Sequence, residues 1–126
     1  VTTIAAIDHV QIAIPAGGEV VARAFYADLL GLTEVPKPAS MAARGGAWYQ
    51  TGGVKVHLGV EQNFRANEKA HVAFRVSDVE GLANKAVALG FQVKHDDDLP
   101  GYMRAFLYDP FGNRIEILKP IGATAK

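Results

Sequence analysis

The property that most constrains how this chain can fold is that its sequence pattern occurs twice. The stretch "IDHVQIAIP", residues 7–15, alternates so that Val10, Ile12 and Ile14 share one face while His9, Gln11 and Ala13 share the other. "AHVAFRV", residues 70–76, repeats this, with His71 at its start and Val72, Phe74 and Val76 on alternate positions. A helical pattern ending in glycine follows each strand. In "GGEVVARAFYADLLGL" it places Val21, Phe25 and Leu29 on one stripe, with Ala22, Tyr26 and Leu30 beside it, and stops at Gly31. In "SDVEGLANKAVALG" Ser77 and Glu80 have capping-box spacing, Leu82, Ala86 and Leu89 form the stripe, and Gly90 is the terminator. Each half then ends in paired strands. "MAARGGAWYQTG" and "VKVHLGV" join through Gly52 and Gly53, and "GYMRAFLYDPFGNRIEIL" turns at Asp109-Pro110-Phe111-Gly112.

The halves register numerically. Gly31 and Gly90, Tyr49 and Tyr108, Gly53 and Gly112, and His57 and Glu116 are each 59 residues apart, while His9 and His71 are 62 apart. Two copies of a β-α-β-β-β unit are therefore expected, about residues 7–60 and 70–119, in an α+β fold. At 126 residues the chain reads as a single domain, 1–126. The polar "EQNFRANEK" serves as the connector between copies.

Composition narrows the function classes. Thirteen basic and thirteen acidic residues cancel, so no long-range field gathers nucleic acid or anionic lipid, and neither is an expected partner. The absence of cysteine excludes thiolate metal sites and a cysteine nucleophile. No segment reads as a signal peptide or membrane span, so a soluble cytoplasmic protein acting on a small molecule is expected.

In the repeat register His9 answers to His71, and His57 to Glu116. Alternation sets Val56, Leu58 and Val60 opposite His57, and Ile115 and Ile117 opposite Glu116, so all four polar groups are expected on the side away from the core. Three imidazoles and a carboxylate suit a borderline divalent ion (Zn, Ni, Fe, Co or Mn) better than magnesium or calcium. His95, in "KHDDD", has no partner in the repeat and reads as a solvated loop residue.

From about Ile7 to Lys119 the chain resembles the vicinal oxygen chelate superfamily, which includes glyoxalase I, fosfomycin-resistance thiol transferases, extradiol dioxygenases and bleomycin-binding proteins. The motifs that carry the resemblance are "DHVQIAIP", "FYADLLGL", "HVAFRV" and "DPFGNRIEIL". It implies two units forming a half-open mixed β-barrel around a metal held at His9, His57, His71 and Glu116. It also implies a homodimer in which one chain supplies His9 and His57 and the other His71 and Glu116.

The chemistry implied is binding of a substrate oxygen to the metal, with Glu116 as the candidate catalytic base in a lyase or isomerase of glyoxalase type. Departures mark each alternative. Bacterial glyoxalase I usually carries glutamate where His57 stands. Fosfomycin-resistance enzymes place a tyrosine where this chain has Phe106 and a threonine where it has Gln11. The superfamily's epimerase needs a second acid from the first half, and "MAARGGAWYQTG" has none. Extradiol dioxygenases are usually longer. A drug- or metabolite-binding protein without turnover stays open as the other class. Gln11, Arg75, Arg104 and Phe106 are the candidate substrate contacts, and Trp48 and Tyr49 are either core or pocket wall.

Overall fold

The computed structural model describes residues 2–122, and the chain divides between Phe64 and Arg65 into two compact units. The first unit holds β1 (Val10–Ile14), helix α1 (Glu19–Arg23), which continues as a π-helical stretch over Ala24–Leu29, β2 (Thr33–Val35), a 3-10 segment (Ala39–Arg44), β3 (Ala47–Thr51) and β4 (Val54–Val60). The second holds β5 (Val72–Arg75), α2 (Val79–Ala88), β6 (Val93–Asp96), β7 (Tyr102–Tyr108) and β8 (Arg114–Pro120). Each unit is a four-stranded mixed sheet, in the order β1-β4-β3-β2 or β5-β8-β7-β6. The first strand of each unit runs parallel to the last, and the other pairings are antiparallel. This is the β-α-β-β-β order expected from the repeat.

Period-two alternation builds the core of each sheet. In the first unit Ile12, Ile14, Val56, Leu58 and Tyr49 are buried together with Ala22, Phe25, Tyr26 and Leu29 of the helix, and the Tyr26 and Tyr49 rings lie 6.0 Å apart. In the second, Ala105, Leu107, Ile115 and Ile117 are buried together with Val79, Ala83 and Ala86 of α2. Full burial of a side chain such as Phe25 or Leu58 stabilises by roughly 1.5–3 kcal/mol.

Several local expectations are corrected. The first helix has its expected length, but its buried stripe is Ala22, Phe25, Tyr26 and Leu29, and Val21 is exposed. Its last turn is widened, with Leu30 N–H donating to Phe25 O at 2.9 Å, five residues back. The second helix is capped by Asp78, whose carboxylate accepts from Gly81 N–H at 2.9 Å, rather than by the Ser77/Glu80 box. Val79, Ala83 and Ala86 are its buried residues, and Leu89 is exposed. Gly90 takes φ of 91° and closes the helix with its own N–H on Val87 O and that of Phe91 on Ala86 O, a Schellman ending. "MAARGGAWYQTG" is a strand only from Ala47, because left-handed Gly45 and Gly46 break the extended run. His95 is exposed but lies on β6, not in a loop.

One correction reaches the site. The β3–β4 hairpin turns through Gly52 and Gly53, whereas residues 109–113 separate the Tyr108–Arg114 pair of the β7–β8 hairpin. Counted from the sheet pairings, Trp48 opposite His57 corresponds to Phe106 opposite Glu116. Tyr49 therefore corresponds to Leu107, not Tyr108, and it points into the core.

Candidate functional site

In each unit the candidate donors lie on the sheet face opposite the buried stripe. In the second unit β8 and β7 put Glu116 directly across from Phe106, with Arg104 one pair further along on the same face. Glu116 is only 6% exposed although it is on the face expected to be open. Its Oε1 lies 2.9 Å from His71 Nε2, and its Oε2 accepts from Arg104 Nη1 at 3.4 Å. Arg104 also donates from Nε and Nη2 to Asp96 Oδ1, at 3.3 and 3.2 Å. Burial disfavours the Arg104 charge, but the hydrogen bond and charge of Asp96, with the charge of Glu116, outweigh it and raise the guanidinium pKa. Asp96 is held below the usual carboxylate value, first by the Asp98 N–H and then, against its own desolvation, by Arg104.

The His71 ring is oriented by contacts at both of its nitrogens. Nδ1 lies 2.7 Å from the carbonyl oxygen of Lys69, which can only accept, so Nδ1 carries a proton. In a neutral ring the Nε2 lone pair then faces a carboxylate oxygen at 2.9 Å. That contact is a hydrogen bond when a proton lies on either atom, and the same two atoms could also turn to one metal ion. The donor chemistry of this pair fits a borderline divalent ion.

The first unit assembles its pair differently. The His57 ring is stacked between Trp48 (3.9 Å between centroids, 2° between planes) and His9 (4.1 Å, 22°). Burial first, and then the charge of His9, depress the His57 pKa below the ordinary imidazole value. His9 Nδ1 pairs with Asp8 at 2.9 Å, and Lys55 Nζ lies 3.8 Å from the same carboxylate. Asp8 is held below its ordinary value, mainly by the His9 hydrogen bond and then by Lys55. Rings stacked face to face carry their nitrogens side by side rather than convergent, so this pair fits a shared ion less well than His71 and Glu116 do. Among the described residues no group of three or more His, Asp or Glu side chains is gathered around one ion position.

A cleft of about 370 Å³ opens on this face, with Gln11, Met41, Trp48, Lys55 and His57 among its lining residues. The Gln11 amide lies over Gly59, in space that a Cβ at position 59 would fill. Of the other candidate contacts, Phe106 meets His71 edge-on at 5.7 Å between centroids, Arg104 stands 5.1 Å from the Phe106 ring, and Arg75 is exposed on β5. Tyr49 belongs to the core, and its buried hydroxyl lacks a hydrogen-bond partner among the described residues.

Sequence reasoning singled out neither Asp96, which anchors Arg104, nor Arg114, whose guanidinium stands 4.7 Å from the Phe106 ring. The repeat held a signal for the second. Arg114 stands two residues before Glu116, as Lys55 stands two residues before His57.

Two four-stranded mixed sheets in β-α-β-β-β order, each with a candidate donor pair on its outer face, define the class of this protein. Residues 11–118 match the model of the glyoxalase-like domain, and the chain belongs to that family. A glyoxalase family protein from Bacillus anthracis is 42% identical, with a TM-score of 0.90 over 95% of this chain and 98% of the other. The fold is shared by the fosfomycin resistance protein FosX from Listeria monocytogenes (15% identity, TM-score 0.73, 92% and 93% covered). It is shared also by the antibiotic binding protein TnmS3 from Streptomyces (17%, 0.72, 95% and 99%). No match was found among curated proteins.

Proposed function

We propose that the chain acts as one glyoxalase-like domain in a cytoplasmic, metal-dependent lyase or isomerase for a small oxygenated or thiol-conjugated metabolite. The observation that carries this is the His71–Glu116 pair, with Nε2 and Oε1 2.9 Å apart and the Nδ1 proton engaged by Lys69 O. Asp8 on His9 Nδ1 would leave His9 with Nε2 as its ligand atom, the ring nitrogen that in His71 faces Glu116. A homodimer in which one chain supplies His9 and His57 and its partner His71 and Glu116 would complete the set. A divalent transition metal bound there would polarise a substrate oxygen. Glu116 would accept the proton from the adjacent carbon, while Arg104 on Oε2 fixes the orientation of the carboxylate. Gln11, Arg75, Arg104 and Phe106 would contact the substrate.

The second reading, a binding protein without turnover, draws on the Trp48–His57–His9 stack, in which the first unit's donors pack as rings. Elemental analysis after gentle purification separates the two. Stoichiometric transition metal, present as isolated or after reconstitution, supports the enzyme; its absence in both preparations supports sequestration. In an assay spanning methylglyoxal–thiol adducts, fosfomycin with a thiol, and catechols with iron and oxygen, Glu116→Gln should abolish turnover more completely than it abolishes metal binding. Full activity in that variant would remove Glu116 as the base.

A further inference from the structure

Arg114 opens β8 opposite Tyr108, on the same face as Glu116 two residues on. Its guanidinium stands 4.7 Å from the Phe106 centroid and 5.7 Å from that of Tyr108. The other arginine of this face, Arg104, is bound by Asp96 and Glu116, yet no carboxylate among the described residues pairs with Arg114. Among the described residues its buried Nε has no hydrogen-bond partner, and no side-chain hydrogen bond is made by its terminal amino groups. A guanidinium lying on aromatic rings keeps its N–H edge free and its orientation fixed, the arrangement that suits a two-oxygen anion.

We infer that Arg114 is an oxyanion subsite beside the His71–Glu116 pair, and that the substrate is a short metabolite bearing a carboxylate or phosphonate. Two residues of strand separate the backbones of Arg114 and Glu116 by about 7 Å. The anionic group therefore lies a few bonds from whatever Glu116 and His71 act on. The first unit has a cation at the corresponding place, Lys55, but there Asp8 already supplies the counter-charge. The inference rests on reading this face as the substrate face, and it holds with or without a metal.

The test follows the Arg114 Nε–Hε signal by NMR in the full chain, metal-free and zinc-loaded, during titration with pyruvate or methylphosphonate, with sodium chloride at matched ionic strength as control. A saturable shift with either anion in either form supports the subsite, and which anion saturates first distinguishes carboxylate from phosphonate. Arg114→Gln should weaken that anion about tenfold or more, and Arg114→Lys, which keeps the charge but not the fork, about threefold or more. If the glutamine variant fails to fold, the lysine variant decides. Shifts that only follow ionic strength, or unchanged affinity in the folded variants, overturn the proposal and leave Arg114 as a cover for Phe106 and Tyr108. Failure of zinc to bind would count against the metal reading alone.

Discussion

The two units share one topology and two unlike chemistries. At matched sheet positions the first carries Trp48, Lys55 and His57, and the second Phe106, Arg114 and Glu116, while Gly46, just before β3, stands where the second has Arg104. A ring stack results on one side and a chain of side-chain contacts from Asp96 through Arg104 and Glu116 to His71 on the other. Backbone pairing is thus indifferent to what the outer face carries, provided that the inner face stays apolar. The first unit covers its donor with aromatic rings, whereas the second buries a carboxylate between a histidine and an arginine.

The difference should break most sharply at Gly46. Writing even a methyl group there would bring a Cβ to 2.1 Å from Leu58 O, in a backbone with φ of 83°. Relief requires movement of the backbone, because no flexible side chain stands in the way. Gly46→Ala is expected to cost about 3 kcal/mol or more, or to prevent folding, in urea denaturation. Gly53→Ala, with open space around its Cβ and no left-handed φ, should stay within about 1 kcal/mol of the parent. If position 46 tolerates alanine equally well, steric exclusion is not what keeps the first unit free of an arginine at this place.

Next in size is the contrast between the buried carboxylate and the stacked ring. In metal-free protein, Glu116→Gln leaves Arg104 and His71 with a weaker acceptor in a buried place and should cost about 1–3 kcal/mol at neutral pH. His57→Gln loses ring stacking but strands no charge, and about 1 kcal/mol is expected. Equal losses would mean that the network contributes no more than the stack.

The sequence made this contrast partly legible. Period-two alternation located both inner faces, and the 59-residue spacing paired His57 with Glu116 correctly, because β4 and β8 align without a gap. It mispaired Tyr49 with Tyr108, because the length of a turn cannot be read from strand periodicity, and one extra residue flips every side chain upstream of it. The short edge strands Thr33–Val35 and Val93–Asp96 carry too few residues for a pattern. The burial of Glu116 was hidden as well, since Arg104 meets it on the diagonal between the neighbouring strands β7 and β8 and His71 meets it from before β5.

The smallest expected effect is a titration, and it tests the stack directly. Trp48 is the only tryptophan, and its ring lies 3.9 Å from that of His57, so its fluorescence should report the charge of that imidazole. Burial and the neighbouring His9 charge lower the His57 pKa in the folded state, so the native protein binds this proton less readily than the unfolded chain. The stability His57 contributes through this shift is present above the ordinary imidazole value. It is lost progressively as the pH falls below that value and through the depressed one. Trp48 emission should therefore change with a midpoint below the ordinary imidazole range, and His57→Gln should remove that transition while leaving the fold intact. A midpoint at or above the ordinary value would mean that His57 is not shielded between the two rings. The contrast between a ring stack in the first unit and a buried charged network in the second would then fail at its central residue.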